Sequence, residues 1–280
     1  MMTALLWLTA AALSRQWGTI GTFTTVADKR INESSGVGAS VLRPGHLFTH
    51  NDSGDSARFF EFDSQGKVEA EYRVSNAQAF DWEDMEICEI GAKSYVYLAD
   101  IGDNGGIRKQ VVVYRVPEPL AGSRTISADL TIRLTYPDKP HNAEALVVEP
   151  GTGNLTIITK TSKGPSQIFW LAAPRKSGTF RLKQIGTLQI DSFIDQGKLI
   201  TSASAAPDGK HVAVRTYFGT QEFAVNKSFN DWFRSKPLSV PTSFQGQAEA
   251  ICYSRDGRSL ISTAEGSPCS VFMGKLRGEK

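Results

Sequence analysis

Short runs of alternating apolar and polar residues recur along the whole chain. Residues 59–62, 68–74, 95–98, 111–116, 130–134, 155–158 and 168–171 each carry the two-residue period of a strand. Gly, Asp, Asn, Ser and Pro separate them. Helical periodicity is scarce; residues 225–235 form the one stretch that predicts a short helix, with Phe229, Trp232 and Phe233 on one side. The density of short strands predicts an all-β fold.

The strands group into copies of one unit. Asp81-Trp82-Glu83-Asp84 stands directly before an apolar run. Asn142-Ala143-Glu144-Ala145 and Gln247-Ala248-Glu249-Ala250 put a glutamate at the same step, and Glu33-Ser34-Ser35-Gly36 is a looser copy. Each signature leads into a strand, a turn, and a second strand ending in a polar cluster. Those clusters are His50-Asn51-Asp52-Ser53-Gly54-Asp55, Asp100-Ile101-Gly102-Asp103-Asn104, Thr159-Lys160-Thr161, Arg215-Thr216-Tyr217 and Ala264-Glu265-Gly266. Asp208-Gly209 and Asp256-Gly257 mark tight turns.

Five units, starting near Glu33, Glu83, Glu144, Ser204 and Glu249, recur at intervals of roughly 45–61 residues, the size of a four-stranded propeller blade. The last unit lacks a fourth strand, and residues 17–25 supply a strand-like run ahead of the first. The pattern predicts a five-bladed β-propeller over residues 17–280, closed by its N-terminal strand. A six-bladed ring is the alternative, with an extra hairpin hidden in the longer units.

Taken in order, Asn51-Asp52-Ser53-Gly54-Asp55, Asp81-Trp82-Glu83-Asp84, Asp100-Ile101-Gly102-Asp103-Asn104, Ala143-Glu144-Ala145 with Thr159-Lys160, Arg215-Thr216-Tyr217 and Ala248-Glu249-Ala250 with Glu265-Gly266 resemble a bacterial, often exported β-propeller family described loosely as phytase-like or esterase-like. The resemblance spans residues 33–276. It implies the fold and no particular reaction. Two positions depart from the pattern: Ser204 stands where an acid is expected, and Ala248 where a glycine is.

Propeller topology brings the blade-initial signatures and the second-strand endings to one mouth of the central channel. Crowded carboxylates repel one another and call for a cation or hydrogen-bond donors. Hard oxygen ligands suit calcium, so Glu33, Asp81, Glu83, Asp84, Asp100, Asp103, Glu144 and Glu249 are the candidate metal ligands. Glu83, Glu144 and His50 are the catalytic candidates, as acids, bases or ligands. Lys160, Arg215 and Tyr217 are the candidates for binding substrate. The chemistry these residues permit is metal-dependent hydrolysis of a phosphoester, lactone or glycoside. The alternative is a non-catalytic module binding a peptide, glycan or small molecule. No serine sits in a nucleophile elbow.

Composition narrows the partners. The 31 Lys and Arg against 29 Asp and Glu give a net charge of +2, and the cations are scattered, so nucleic acid is not an expected partner. No stretch is long enough to span a membrane, and a monomer is expected. Residues 1–13 resemble the apolar core of a secretory signal. If they act as one, the protein is secreted or periplasmic; otherwise it is cytoplasmic. Cys88, Cys252 and Cys269 read as buried small hydrophobes, with a Cys252–Cys269 bridge as the alternative.

Overall fold

The innermost strands of five sheets pack side by side in a circle, each against the next and the fifth against the first. The computed structural model describes residues 15–122 and 124–277, so the signal-like residues 1–13 lie outside it. Blade one comprises Ser34–Ala39, Leu47–Asn51, Arg58–Phe62 and Val68–Val74. Blade two comprises Trp82–Ile90, Lys93–Asp100, Val111–Pro117 and Leu130–Thr135. Blade three is Ala143–Val148, Leu155–Thr159, Ser166–Leu171 and Lys183–Leu188, and blade four is Ile200–Ala205, His211–Thr216, Thr220–Ala224 and Leu238–Val240. Within each blade these strands pair antiparallel in chain order.

Blade five takes three strands from the end of the chain, Ala248–Tyr253, Ser259–Ala264 and Cys269–Arg277. Its outer edge is completed by Gln16–Trp17 and Gly21–Val26, both antiparallel to Cys269–Arg277. Trp17, Ile20 and Val26 are buried by this pairing. The expected closure by the N-terminal strand is the one observed.

The six-bladed alternative is not. The extra length of the second and third units forms two short strands, Thr125–Ile126 and Gly178–Arg181. Each leaves its own blade and pairs parallel with the outer strand of the preceding one, at Arg73–Val74 and Ile132–Thr135. These additions cover sheet edges that would otherwise present open backbone groups.

The core lies between blades, where the faces of neighbouring sheets interdigitate. Phe48, Phe59 and Tyr72 of blade one meet Trp82, Met85 and Leu98 of blade two, for example. The helix expected over residues 225–235 is a single 3-10 turn, Trp232–Arg234. Phe229, Trp232 and Phe233 are buried against Phe223 and the third and fourth blades, so the apolar signal was one of packing and not of helical period. Cys88, Cys252 and Cys269 are buried and free.

Candidate functional site at the channel mouth

Every innermost strand carries a bulge near its start. Pairing with the second strand skips one residue between Ser34 and Gly36, Trp82 and Asp84, Ala143 and Ala145, Ile200 and Ser202, and Ala248 and Ala250. The skipped residues are Ser35, Glu83, Glu144, Thr201 and Glu249. A bulge breaks the alternation of faces and re-aims a side chain, which is why such features recur beside functional sites. This register corrects two sequence expectations. Glu33 does not belong with the glutamates: it lies two residues before the bulge, exposed, at the step held by Asp81, Asn142 and Gln247. Ser204 does not hold this step in blade four either; Thr201 does, so two of the five bulged residues, Ser35 and Thr201, are neutral.

A second tier comes from the residues that follow the second strands. The amides of Asp52, Gly102, Lys160 and Glu265 donate to the carbonyls of Glu33, Asp81, Asn142 and Gln247. Tyr217 follows the second strand of blade four. These residues surround the bulged glutamates from above.

The mouth divides into two halves. In the first, ligand oxygens of Asp52, Asp81 and Glu83 all lie within 4.8 Å of one another. Burial and the neighbouring charge of Asp52 push Asp81 up to about 6. Burial, together with Glu144 and Asp52, pushes Glu83 up as well. Gly102 passes so close that a β-carbon there would stand 2.1 Å from Glu83 Oε1 and 2.4 Å from Asp81 Oδ2. Only glycine leaves that space open beside the acids.

In the second half, Lys160 is the hub. Its ammonium group forms an ion pair with Glu144 and donates to the Tyr217 hydroxyl at 2.7 Å. Tyr217 in turn lies beside Glu249 and favours its charged carboxylate. Burial drives Glu144 up against the pull of Lys160, and drives Glu249 up to about 7 with help from Glu265. Burial also raises Tyr217, so its phenol stays protonated and able to donate near neutrality.

Several expected site residues have other work. Asp84 is fully buried below the mouth. Its carboxylate accepts from Met85 N (2.9 Å), Leu146 N (2.9 Å), Ser202 Oγ (2.9 Å) and Ala203 N (3.3 Å). Glu86, one step further down, accepts from Ser204 Oγ and Ala205 N at 3.0 and 3.1 Å. The free edges of the innermost strands face the channel, so their amides need acceptors, and these two carboxylates supply them across it. Asp100 accepts from Asp81 N and pairs with Arg108 at 2.8 Å, and Asp103 accepts from Ile107 N and Arg108 N. Both hold loops. His50 is buried, with Nδ1–H donating to the Asn51 carbonyl and its ring edge-on to Trp82. Burial lowers its pKa and keeps it neutral. Arg215 is also fully buried, donating to Thr220 Oγ1 (3.0 Å) and Gln245 Oε1 (2.9 Å), and burial pulls it down to about 10. Neither is open to a ligand at the mouth.

The sequence reading left Asp52 and Glu265 out of the ligand set, although the strand-end position of each is legible. Glu86 and Gly102 were missed as well.

The sequence matches no family model and no curated protein. The fold is similar to that of the PQQ-bound aldose sugar dehydrogenase of Streptomyces coelicolor, with a TM-score of 0.53 at 11% identity over 94% of this chain and 99% of that one. A gluconolactonase of Xanthomonas campestris superposes with a TM-score of 0.46 at 12% identity, covering 82% of this chain and 68% of that one. At 11% identity the likeness to the first is one of fold; the chain's own sheets make it a five-bladed β-propeller.

Proposed function

We propose that the channel mouth binds a divalent cation, calcium, on Asp52, Asp81 and Glu83, and that the protein is a calcium-dependent hydrolase of a small oxygen-rich substrate. The carrying observation is the convergence of three carboxylates from two blades beside the side-chain-free Gly102. None of the three has an ion pair among the described residues. Hard oxygen donors in an open, flexible arrangement suit calcium better than magnesium, which demands strict octahedral geometry. When bound, the ion supplies Lewis acidity and offsets the mutual repulsion of the acids.

The chain's own groups supply the rest. Glu249 titrates near neutrality and so can take or return a proton at its carboxylate, the property required of a general acid–base. The Tyr217 hydroxyl stands beside that carboxylate, and Lys160 holds Tyr217 and Glu144. Lys160 also offers positive charge to an electron-rich substrate oxygen. The reaction class is a hydrolysis of a phosphoester, lactone or glycoside: water adds across the scissile bond, one product keeping the hydroxyl and the other the proton.

A screen of chromogenic phosphate, ester and glycoside substrates with calcium, with magnesium and with chelator tests this reading. Turnover of one class that chelation abolishes and Glu249→Gln depresses is expected. Calcium binding without turnover of any class would leave a non-catalytic binding module in its place.

A further inference from the structure

Among the described residues ten large apolar side chains are exposed, and they are unevenly placed. Six of them, Phe80, Ile107, Phe193, Ile194, Phe218 and Phe244, lie in the loops at the mouth end of the propeller. The opposite end carries Leu42 and Leu120. Single exposed apolar residues are ordinary, but a group confined to one face, around a polar centre, marks a binding surface.

Three of the six have neighbours that tie them to the mouth. Phe80 directly precedes Asp81, with the Arg108 guanidinium 5.7 Å from its ring centroid. Phe218 directly follows Tyr217 and stacks on Phe244, at 6.3 Å between centroids and 26° between planes. Beside Phe218 opens a cavity of about 340 Å³ with a mixed lining, in which Ile190, Val214 and Pro241 stand among polar groups such as Asp191, Thr220 and Gln221. The aromatic pair and the cavity thus adjoin the Lys160–Tyr217–Glu249 half of the mouth, where the proposed reaction would occur.

We infer that the substrate is a carboxylic ester or lactone bearing an apolar acyl chain, which lies on Phe218 and Phe244 while its ester group faces the acidic centre. Hydrolysis adds water at the acyl carbon and breaks its C–O bond, giving the carboxylic acid and the alcohol from an ester, or a single hydroxy acid from a lactone. This inference rests on the hydrolase reading of the mouth, and the experiment separates the two.

The full chain, with calcium, is assayed on p-nitrophenyl acetate, butyrate and octanoate. KM is expected to fall at least tenfold from acetate to octanoate, and the Phe218→Ser/Phe244→Ser variant to lose that dependence while its calcium titration is unchanged. Turnover with a KM indifferent to chain length overturns the inference and leaves the hydrolase reading standing. Binding is read separately by saturation-transfer NMR with 2-octanone and acetone as non-hydrolysable probes. Transfer to the octanone chain in the parent protein, absent in the variant, supports the apolar subsite; if no ester is hydrolysed, the hydrolase reading fails and the ester assignment is overturned with it, while the subsite for an apolar chain stands. No transfer to either ketone overturns the inference.

Discussion

The carboxylate of Asp84, on the innermost strand of blade two, accepts a hydrogen bond from the Ser202 hydroxyl on the innermost strand of blade four at 2.9 Å. The contact spans the channel and passes over blade three, whose Leu146 amide donates to the same carboxylate. Asp84 therefore acts as a rivet among three blades. Replacing it with alanine leaves buried amides without an acceptor, at an expected cost of about 2–4 kcal/mol. Thermal denaturation should show Tm lowered by about 5–15 °C for a chain of this size. The calcium response should persist, because Asp84 sits beneath the mouth. A normal Tm, or a lost calcium response, would count against this assignment.

Ring closure gives a second prediction. Deleting residues up to Val26 removes buried Trp17, Ile20 and Val26 and bares the edge of Cys269–Arg277. Burial of three such side chains is worth about 5–9 kcal/mol, comparable to the whole stability of a domain. The truncated chain should melt at least about 10 °C lower, with unfolding spread beyond blade five. Calorimetry that returns the parent's melting curve would refute the closure.

Without divalent ions, stability should fall as pH rises. Glu249 is raised from 4.5 to about 7 in the folded state, and Glu144 is raised in the same direction. Between the two values the folded protein holds protons that the unfolded chain has released. Its stabilisation is complete below about pH 4.5 and is lost as pH passes through about 7, with a slope of at most ~1.4 kcal/mol per pH unit for each group. Chelator-treated protein melted at pH 5, 6, 7 and 8 checks the sign. Glu249→Gln should flatten the profile; a Tm that climbs over this range would contradict the buried, protonated state of the mouth.

The blade count and the closing strand were legible because strand alternation, Asp-Gly turns and the glutamate echoes are local signals. The register of the mouth was not. Glu33 drew the eye as a charge before a strand, yet the bulged residue is Ser35, and only pairing with Asn51 and His50 reveals the skip. Asp84 looked like a ligand because it adjoins Glu83. The bulge sends Glu83 to the mouth and Asp84 into the channel, a difference set by tertiary hydrogen bonds from Leu146 and Ala203. Arg215 and His50 read as substrate-binding and catalytic candidates because each lies at the polar end of a second strand. Their burial depends on neighbouring blades, which no window of sequence contains.

The central claim is an ion held by Asp52, Asp81 and Glu83, and calorimetric titration of chelator-treated protein with calcium tests it most directly, with Tm followed in parallel. The account predicts measurable heat and a Tm that rises with calcium more than with magnesium, equivalent to about 2.7 kcal/mol when free ion reaches ~100 times its dissociation constant. Glu83→Gln should weaken the response. Gly102→Ala, which drives a β-carbon into the Glu83 and Asp81 carboxylates, should remove it. Asp208→Asn, in a distant turn, should leave it intact. A titration flat in both heat and Tm would contradict the account and leave protonation and Lys160 as the means by which these acids coexist.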